Sequence, residues 1–380
     1  MAIVTGAQGA GGSRGILSSR RKIWMRDRMV ELDPDLNKVT LILRKINKKS
    51  VGDVKFQLHE HDRFPDTTQA NGTYTSGATS IVVDDGTVAG ENQLVINQRT
   101  GEVIKVTAIS SNTWTVSRSV GSTAAAAGND NDYFSVLATS FAENSNAPDP
   151  RINPATNAFN YTQIAREDFG ASGTLIASDI YGSQNIMSSR AKERLLDYNA
   201  MVEKSLLFGE RSEDTSGNYA VRSTGGIHEF MTQSVNFGGA FSMQLLFDAC
   251  EVGFRYGSPT KSLFVSRSVA SNIGLEAVDK LRAVSGKISF GVSVSQLVTP
   301  SGNMNVMTHN MLEGGEYAQR AYLLDLKNFG FRYLKGRDNA LYEGLETNGT
   351  DGEVHGWMGE FGLERGQAKT HQVWTSVSNG

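Results

Sequence analysis

The feature that most constrains the fold is a long amphipathic stretch in the middle of the chain, residues 182–209, which reads GSQNIMSSRAKERLLDYNAMVEKSLLFG. Charged residues fall mostly on faces other than the apolar one, as an amphipathic helix requires. Gly209 follows the pattern, and glycine is common just after helix ends. The stretch predicts a helix of about 40 Å that is either a plain core helix or a spine around which the chain is organised. Apolar residues recur at steps of three and four, which places them on one helix face: Met187, Ala191, Leu195, Tyr198, Val202 and Leu206.

Composition places the chain among globular proteins. It has 380 residues, 39% apolar and 20% charged, which is enough for two or three domains with their own cores. It contains no run of eighteen apolar residues, so no membrane-spanning helix is predicted. The start, MAIVTGAQGAGG, lacks the basic and apolar regions of a secretory signal. Cys250 is the only cysteine, so an internal disulfide is excluded and a cytoplasmic origin is expected.

The net charge of -3 hides an uneven distribution. Residues 1–50 carry eleven Lys or Arg and four Asp or Glu, a net +7, which leaves -10 for the remainder. A basic arm on an acidic body could contact nucleic acid, or it could lie across the acidic surface of a neighbouring copy. Trp24 is the only aromatic residue among the basic ones, so there is no series of rings for base stacking. We therefore favour contact with a neighbouring copy.

Two motifs could indicate a cofactor or a metal. The glycine-rich residues 3–16 (IVTGAQGAGGSRGI) lack the fixed spacing and the buried strand of a dinucleotide fingerprint, and no GxxxxGK[ST] occurs. His59 and His61 of the sequence HEHD would share one face of a strand, but zinc needs at least one more ligand. Because the other histidines are scattered, we expect a solvated strand end. No cofactor and no metal site is predicted.

Catalytic constellations are equally sparse. Cys250 falls within the apolar face of a predicted helix, which is typical of a buried structural thiol. Asp84 and Asp85 lie in a predicted turn, where solvated carboxylates are normal. No G-x-S-x-G and no other nucleophile–base pattern is found, so no catalytic residue is predicted.

Residues 66–145 have a different character, rich in Gly, Thr, Ser, Asn and Val. Short strands separated by turn signals predict a small β-barrel or sandwich. The segment 142–154 (AENSNAPDPRINP), with three prolines, reads as a linker. The flanking segments 54–62 and 159–174 are predicted to pair as a long hairpin with this module at its tip. The five predicted strands are Thr79–Val83, Gln93–Asn97, Glu102–Ile109, Thr113–Arg118 and Tyr133–Ala138.

The second half mixes helices and strands. Residues 242–257 predict a helix, residues 261–307 predict a strand–helix–strand α/β arrangement, and Ser266 or Ser268 is expected to cap its helix. The late strand-like segments 317–336, 353–366 and 371–377 are predicted to form one sheet beside the central helix. The predicted apolar face of the helix at 242–257 consists of Leu245, Leu246, Ala249, Val252 and Tyr256.

In this order the segments resemble the major capsid proteins of tailed bacteriophages with the Hong Kong 97 fold, in the subfamily with a β-domain inserted ahead of the spine helix. The resemblance covers most of residues 20–375. Besides the basic start, the segments that carry it are 160–174, LLFG at 206–209, RSTGGIHEF at 222–230, LFVS at 263–266 and GWMGEFGLE at 356–364.

The resemblance implies an α+β fold of the Hong Kong 97 type, with a long spine helix and a small inserted all-β domain. The implied domains are a basic N-terminal arm at 1–50, flanks of an extended hairpin loop at 51–65 and 151–181, an inserted β-domain at 66–150, a peripheral domain at 182–222 and 316–375, and an axial domain at 223–315.

It also implies the function of a major capsid protein, a structural protein that self-assembles as hexamers and pentamers into the icosahedral head shell of a phage. The shell would enclose double-stranded DNA without specific binding, with scaffold, portal or decoration proteins as further partners and no membrane. The expected location is the virion, after assembly in the cytoplasm of the host bacterium. No separate scaffolding region is recognisable at the N-terminus, which favours a separate scaffold protein.

Other functions remain open from the sequence. A β-rich tail or adhesion protein would be a monomer or trimer with free binding loops, but it leaves the central helix unexplained. A nucleotide-binding enzyme would need the glycine-rich start to bind phosphate. A cellular nanocompartment shell shares the fold class, and the inserted module and the closing motif favour the virus.

Overall fold

The computed structural model of the chain describes residues 37–145, 152–178, 185–280, 283–289 and 292–378. These residues form two units. Unit 1 contains the described residues up to Leu58 and from Ala158 onward, and unit 2 is His59–Asn157. Each unit has a hydrophobic core of its own.

Unit 1 mixes helices with strands. Its helices are α1 (Lys38–Ile46), α2 (Gly173–Ala177), α3 (Ile186–Phe208), α4 (Met243–Gly253) and α5 (Arg267–Lys280). Its strands are β1 (Lys48–Val51), β10 (Gln163–Ser172), β11 (Ser212–Asp214), β12 (Val221–Ser223), β13 (Ser234–Ala240), β14 (Thr260–Val265), β15 (Ala283–Ser289), β16 (Val292–Thr299), β17 (Gly302–Thr308), β18 (Ala321–Leu324), β19 (Phe329–Leu334), β20 (Ala340–Tyr342), β21 (Gly352–Arg365) and β22 (Gln372–Ser378).

Helix α3 lies within the stretch for which the sequence predicts a helix, and residues 182–184 of that stretch lie outside the described residues. The Asn185 side chain caps its start by accepting from the amide of Ser188. Gly209 follows its end with φ −59°, so it is not in the left-handed region. Glycine is needed there for close packing instead, because a Cβ would lie 2.4 Å from the carbonyl oxygen of Ser205 and 2.5 Å from that of Thr224.

A five-stranded sheet supports α3. Its strand order is β1-β19-β21-β10, with β20 also paired to β21. Strands β10 and β21 run antiparallel over ten residue pairs, from Gln163 opposite Phe361 to Ser172 opposite Gly352. Helix α3 packs on β10 and β21, and α1 packs on β19 and α3. The first core of unit 1 joins this sheet and the two helices, and it also includes Phe264, Tyr322 and Val373 from β14, β18 and β22.

A seven-stranded sheet, in the order β13-β22-β18-β14-β17-β16-β15, forms the second half of unit 1. Its second core includes Leu246 and Cys250 from α4, Val269 from α5, and Leu263 and Trp374 from the strands. Ser266 caps α5, because its hydroxyl accepts from the amide of Val269.

Three details of the second half differ from the sequence predictions. The late strands do not form one sheet, because β19 and β21 belong to the five-stranded sheet whereas β18 and β22 belong to the seven-stranded one. Helix α4 ends at Gly253, and Val252 and Tyr256 of its predicted apolar face are 47% and 46% exposed. Cys250 and Gly253 are buried in their place. Strands β15 and β16 had no predicted counterpart.

Part of the predicted basic arm is folded into unit 1. Within residues 1–50, Lys38–Ile46 forms α1, whose Val39 and Leu43 are fully buried. Strand β1 pairs in parallel with β19. The apolar residues at 39, 42, 43 and 46 follow a helical period that outweighs the charge of this segment. The rest of the predicted arm, residues 1–36, lies outside the described residues.

The chain crosses between the two sheets of unit 1 at a buried polar cluster. Asp325 lies between β18 and β19, and His371 between β21 and β22. The His371 Nδ1 accepts from the amide of Asp325 at 3.2 Å, and its Nε2 donates to the carbonyl of Gly366 at 3.1 Å. Burial lowers the pKa of His371 to about 4.

The ammonium of Lys261 completes this cluster. It donates to the carbonyls of Gly253, Tyr256 and Thr370 at 2.6, 2.8 and 2.6 Å, so all three of its protons have acceptors. Two of these carbonyls are at or just beyond the end of α4, where helices leave carbonyls unpaired. Burial lowers the pKa of Lys261 to about 8.

Unit 2 is a small closed β-barrel. Its sheet order is β3-β8-β5-β6-β7-β4, and the bridge between Ala70 and Val83 joins the two outer strands. Trp114 and Phe134 lie in the buried core. The bidentate ion pair of Arg118 with the buried Glu102, at 2.7 and 2.6 Å, adds a polar anchor. The strands are β3 (Thr67–Gln69), β4 (Ser80–Val82), β5 (Gln93–Asn97), β6 (Val103–Ser110), β7 (Thr113–Ser117) and β8 (Tyr133–Thr139).

The predicted pairing of the flanking segments is confirmed in part. Strands β2 (Lys55–Glu60) and β9 (Thr156–Tyr161) form a two-stranded sheet. The remainder of the second flank is β10, which pairs with β21 instead. The hairpin is therefore shorter than the sequence predicts, because the long β21 offers β10 ten residues of pairing in the main sheet.

Because unit 2 has its own core and a closed sheet, we expect the fragment 59–157 to fold alone. Amide-proton dispersion in an NMR spectrum and a cooperative thermal transition would show this. Glu102→Ala in the same fragment should lower its free energy of unfolding by about 3 kcal/mol, because it leaves Arg118 buried without its carboxylate. A matched control, Glu91→Ala at an exposed site, should change it by less than about 0.5 kcal/mol. A fragment without dispersion would contradict an independent barrel.

The His371 cluster makes unit 1 sensitive to acid. An unfolded histidine has a pKa of about 6.5, so below that pH the unfolded state binds a proton that the folded state, with a pKa of about 4, does not. Stability is therefore lost as the pH falls from about 6.5 to about 4, by roughly 3 kcal/mol in total. We expect His371→Gln, whose amide can replace both hydrogen bonds, to lose less stability between pH 7 and pH 4.5 in urea denaturation. The exposed His59→Gln should behave like the wild type, and an equal loss in His371→Gln would refute the assignment.

Candidate functional site: the carboxyl end of helix α3

The two histidines that the sequence singled out for metal binding have no third ligand beside them in the described residues. His59 and His61 are both exposed. Within the described ranges, no three or more His, Cys, Asp or Glu residues are placed to hold a metal ion. The glycine-rich residues 3–16 lie outside the described part of the chain.

The catalytic candidates have structural roles. Cys250 is buried with its Sγ 3.8 Å from the sulfur of Met304, and burial raises the pKa of its thiol to about 12. A thiol with that pKa is not a nucleophile at neutral pH. Asp85 stabilises its own turn, because its carboxylate accepts from the amide and the hydroxyl of Thr87 at 2.9 and 2.6 Å.

Membrane insertion through a helix finds no support in the described residues either, since none of their helices combines the length and apolarity that a bilayer crossing requires.

Instead, buried polar side chains gather near the carboxyl end of α3. Glu203, which is fully buried, accepts from the amides of Val39 and Thr40 at 2.8 and 2.7 Å. It also accepts from the hydroxyl of Thr40. The residue before α1, Asn37, makes no side-chain cap, so Glu203 satisfies the first amides of α1 from a different helix.

His309 is the fourth donor to this carboxylate. Its Nε2 lies 2.7 Å from Glu203, and its Nδ1 accepts from the amide of Met311 at 3.1 Å. Since Nδ1 is an acceptor, the ring hydrogen is on Nε2 and is donated to Glu203. Lys38 adds a bond from its ammonium to the carbonyl of Thr308 at 2.8 Å. The start of α1, the last turns of α3 and the end of β17 are thereby joined.

A second junction holds the base of the β2–β9 hairpin. The amide nitrogen of the buried Asn160 in β9 donates to the carbonyls of Gly225 and Leu363 at 2.9 and 2.7 Å, and to the hydroxyl of Thr224 at 3.1 Å. Its oxygen accepts from the amide of Gly225 at 2.8 Å. The amide of Gly226 in turn donates to the carbonyl of Gly209 at 2.7 Å. One side chain thus connects the hairpin, the turn at 222–230 and β21 beside the end of α3.

Next to Asn160 lies a shallow, open surface cleft, which we call the cationic cleft. Its apolar walls are Phe56, Leu58, Ala158, Phe159, Phe230 and Leu363.

Three cations contact the two most exposed rings of this cleft. The Lys55 ammonium and the Arg211 guanidinium lie 4.3 and 4.1 Å from the centre of the Phe159 ring. The guanidinium of Arg365 lies 5.4 Å from the centre of the Phe230 ring. Such cations are attracted to the faces of aromatic rings. The cleft therefore offers an apolar interior with a positively charged rim, which suits an apolar side chain flanked by carboxylates.

Sequence reasoning missed these residues for identifiable reasons. Glu203 lies beside Val202 and Leu206 on the apolar face of α3, and a lone acid on such a face is a usable signal. His309 and Asn160 carry no local pattern, since their partners are far away in sequence.

Comparison with known proteins identifies the family to which the chain is similar. The model of a family described as "SU10 major capsid protein" matches residues 15–378. No curated protein matches the chain in sequence. Among solved structures, the capsid of an empty GTA particle is similar with a TM-score of 0.54 and 9% identity, over 98% of this chain and 100% of that one. At this identity the similarity concerns the fold, which is that of a capsid protein.

Two further structures are similar over most of their length. Mycobacterium phage Bobi gives a TM-score of 0.49 and 7% identity, over 95% of this chain and 96% of that one. The SrpI encapsulin complex from Synechococcus elongatus PCC 7942 gives 0.48 and 10%, over 94% and 97%.

We expect Glu203→Ala to destabilise unit 1 by about 3 kcal/mol, because two amides of α1 and the His309 ring lose their shared acceptor in the interior. Urea denaturation followed by circular dichroism measures the change. Hydrogen exchange should also show α1 opening before α3, since α1 loses the cap of its first turn.

The matched control is Glu193→Ala, the same substitution on the exposed face of the same helix. It should change the free energy of unfolding by less than about 0.5 kcal/mol. Equal effects of the two variants would show that the Glu203 junction contributes nothing specific.

Proposed function

The chain belongs to the SU10 major capsid protein family and is a capsid-forming structural protein of a tailed bacteriophage, and we propose that it builds the shell as a subunit of the Hong Kong 97 type. The match to the family over residues 15–378, nearly the whole chain, is the observation that carries this. The capsid fold shared with the GTA particle supports it.

We propose that each part of the fold corresponds to one domain of a subunit of the Hong Kong 97 type. Helix α3 is the spine, and with α1 and the five-stranded sheet it forms the peripheral domain. The seven-stranded sheet with α4 and α5 forms the axial domain. Strands β18 and β22 belong to this sheet, so the axial domain takes them from the region 316–375 that the sequence assigned to the peripheral domain. Unit 2 is the inserted β-domain, β2 and β9 are the base of the extended hairpin loop, and residues 1–36 are the arm.

Assembly in this proposal is association rather than catalysis. Stable subunit contacts bury about 800 Å² on each partner. Contacts between different patches on neighbouring copies close into rings and shells, here hexamers and pentamers. The arm and the hairpin extend the contact area without enlarging the core of a subunit.

The enclosed double-stranded DNA needs no specific site on this chain. Residues 51–380 carry a net charge of -10, which disfavours tight binding of phosphates to the body of the subunit. Scaffold, portal or decoration proteins are the further partners, and assembly takes place in the cytoplasm of the host bacterium.

Size-exclusion chromatography followed by negative-stain electron microscopy of the purified chain tests the shell-forming role. We expect pentamers, hexamers or closed particles whose fraction rises with protein concentration. A species that stays monomeric over a hundredfold range of concentration, about 2.7 kcal/mol in association free energy, would contradict self-assembly.

Two truncations separate the arm from the fold. Deleting residues 2–36 should leave the free energy of unfolding unchanged but reduce particle formation, because it removes the arm and retains α1. Deleting residues 2–50 also removes Val39 and Leu43 from the core, so it should lower stability by several kcal/mol, about 2–5 for each large buried side chain. Intact shells from the shorter truncation would exclude a role of the arm in assembly.

A further inference from the structure

The cationic cleft has a complement on the same unit, in the loop between β20 and β21. This acidic loop, taken as residues 343–353 so that it includes the first two residues of β21, carries four carboxylates and no Lys or Arg. Leu345 lies between two of the carboxylates and is 37% exposed. The four acids are Glu343, Glu346, Asp351 and Glu353.

Hydrogen bonds fix the shape of the acidic loop. The amide of Leu345 donates to the carbonyl of Val354 at 2.8 Å, and the amide of Val354 donates to the carboxylate of Glu346 at 3.1 Å. This amide also holds the pKa of Glu346 below its usual value. A loop fixed in this way loses little freedom on docking. Glu353 lies 3.6 Å from His355, so Glu343 is the acid best placed to meet a partner.

A subunit cannot fill its own cleft with its own loop. The acidic loop enters β21 at Gly352, and the cleft is lined by Leu363 near the other end of the same strand. Eleven residues of extended strand span roughly 35 Å. A contact between the acidic loop and the cleft therefore joins two copies.

We infer that the acidic loop of one copy docks in the cationic cleft of the next copy, with Leu345 against the rings of Phe159 and Phe230. Glu343 then faces the cations Lys55 and Arg211. The inference rests on the proposed shell-forming role, because it needs neighbouring copies.

The charges at the rim favour this occupant. Glu229 lies 3.6 Å from Arg211, and Glu364 binds Arg332 at 2.5 Å, so these acids are engaged by arginines. An incoming carboxylate therefore meets Lys55 beside Arg211 at the ring of Phe159. Opposite charges across an interface fix the register of association.

The geometry also makes the contact directional. The two patches differ and lie at opposite ends of one strand of one unit, so the contact is heterologous. Repetition of a heterologous contact closes into a ring when the rotation per subunit divides a full turn. A contact between identical patches would give only a dimer.

Cysteine cross-linking tests the contact directly. Ala158→Cys in the cleft is mixed with Leu345→Cys under assembly conditions with a mild oxidant. Cys250 does not compete, because it is buried. We expect a disulfide-linked dimer on a non-reducing gel. The control is Ala158→Cys mixed with Leu275→Cys, which places the second cysteine at a 66% exposed site on α5. The amount of cross-linked dimer should be about tenfold greater with Leu345→Cys than with this control.

The outcomes separate this inference from the proposed function. Particles without the Ala158–Leu345 cross-link overturn the docking of the loop and leave the shell-forming role standing. Absence of particles from the wild-type chain, both alone and together with a scaffold protein, overturns the shell-forming role itself.

A charge exchange provides the second test. Lys55→Glu and Glu343→Lys should each reduce particle yield about tenfold, and the double variant should restore it to within about twofold of the wild type. The control variants Lys49→Glu and Glu251→Lys change exposed charges elsewhere on unit 1. Combining these two changes should not raise the particle yield above that of either single control variant. Circular dichroism confirms that every variant is folded, and a double variant no better than the single ones would overturn the pairing.

Discussion

The carboxylate of Glu203 is the interaction on which the arrangement of unit 1 depends most. An isolated carboxylate in a protein interior costs several kcal/mol, so it is retained only where hydrogen-bond donors surround it. Here the donors come from the start of α1 and from His309, which are separated from Glu203 by more than a hundred residues in each direction. The requirement that all of them meet fixes α1 on α3 and places the end of β17 beside both.

Buried polar groups also determine how the two sheets of unit 1 are connected. The connections from β18 to β19 and from β21 to β22 each lead from one sheet to the other, and both meet at the cluster of Lys261, Asp325 and His371. Backbone groups in buried connections must find partners, and side chains supply them here. Burial holds the pKa of His371 near 4 and that of Lys261 near 8, which is the electrostatic consequence of a tightly closed junction. A shell subunit whose two halves carry different contacts needs such a fixed connection between them.

Sequence patterns predicted the elements whose determining residues lie close together in the chain. The helix at Ile186–Phe208 and the strands β4 to β8 of unit 2 follow from periodicity and turn residues, because the information lies within ten residues of each element, whereas the short β3 at Thr67–Gln69 was not predicted. Pairing between distant strands is not encoded in that way, so the split of β18 and β22 from β19 and β21 escaped prediction. Helix α1 was visible in the apolar residues of KVTLILRKI, and its charge misdirected the interpretation toward an arm. The cations and rings of the cleft come from β2, β9, the residue before β11, the turn at 222–230 and the end of β21, so only the fold assembles them.

A protein that assembles from many identical copies is best served when its strong interactions lie inside each subunit and its weak interactions lie at the surface. Inside unit 1, buried and fully satisfied groups such as Glu203 and Lys261 are costly to break, and they hold each subunit in one shape. At the surface, cations on ring faces and exposed carboxylates contribute about 1 kcal/mol each, and salt screens them. In the proposed shell every copy both offers and receives each contact, so small energies add up over a ring. The same weakness lets a misplaced copy dissociate before the ring closes, so modest contacts on a rigid subunit favour an ordered shell over a tangled aggregate.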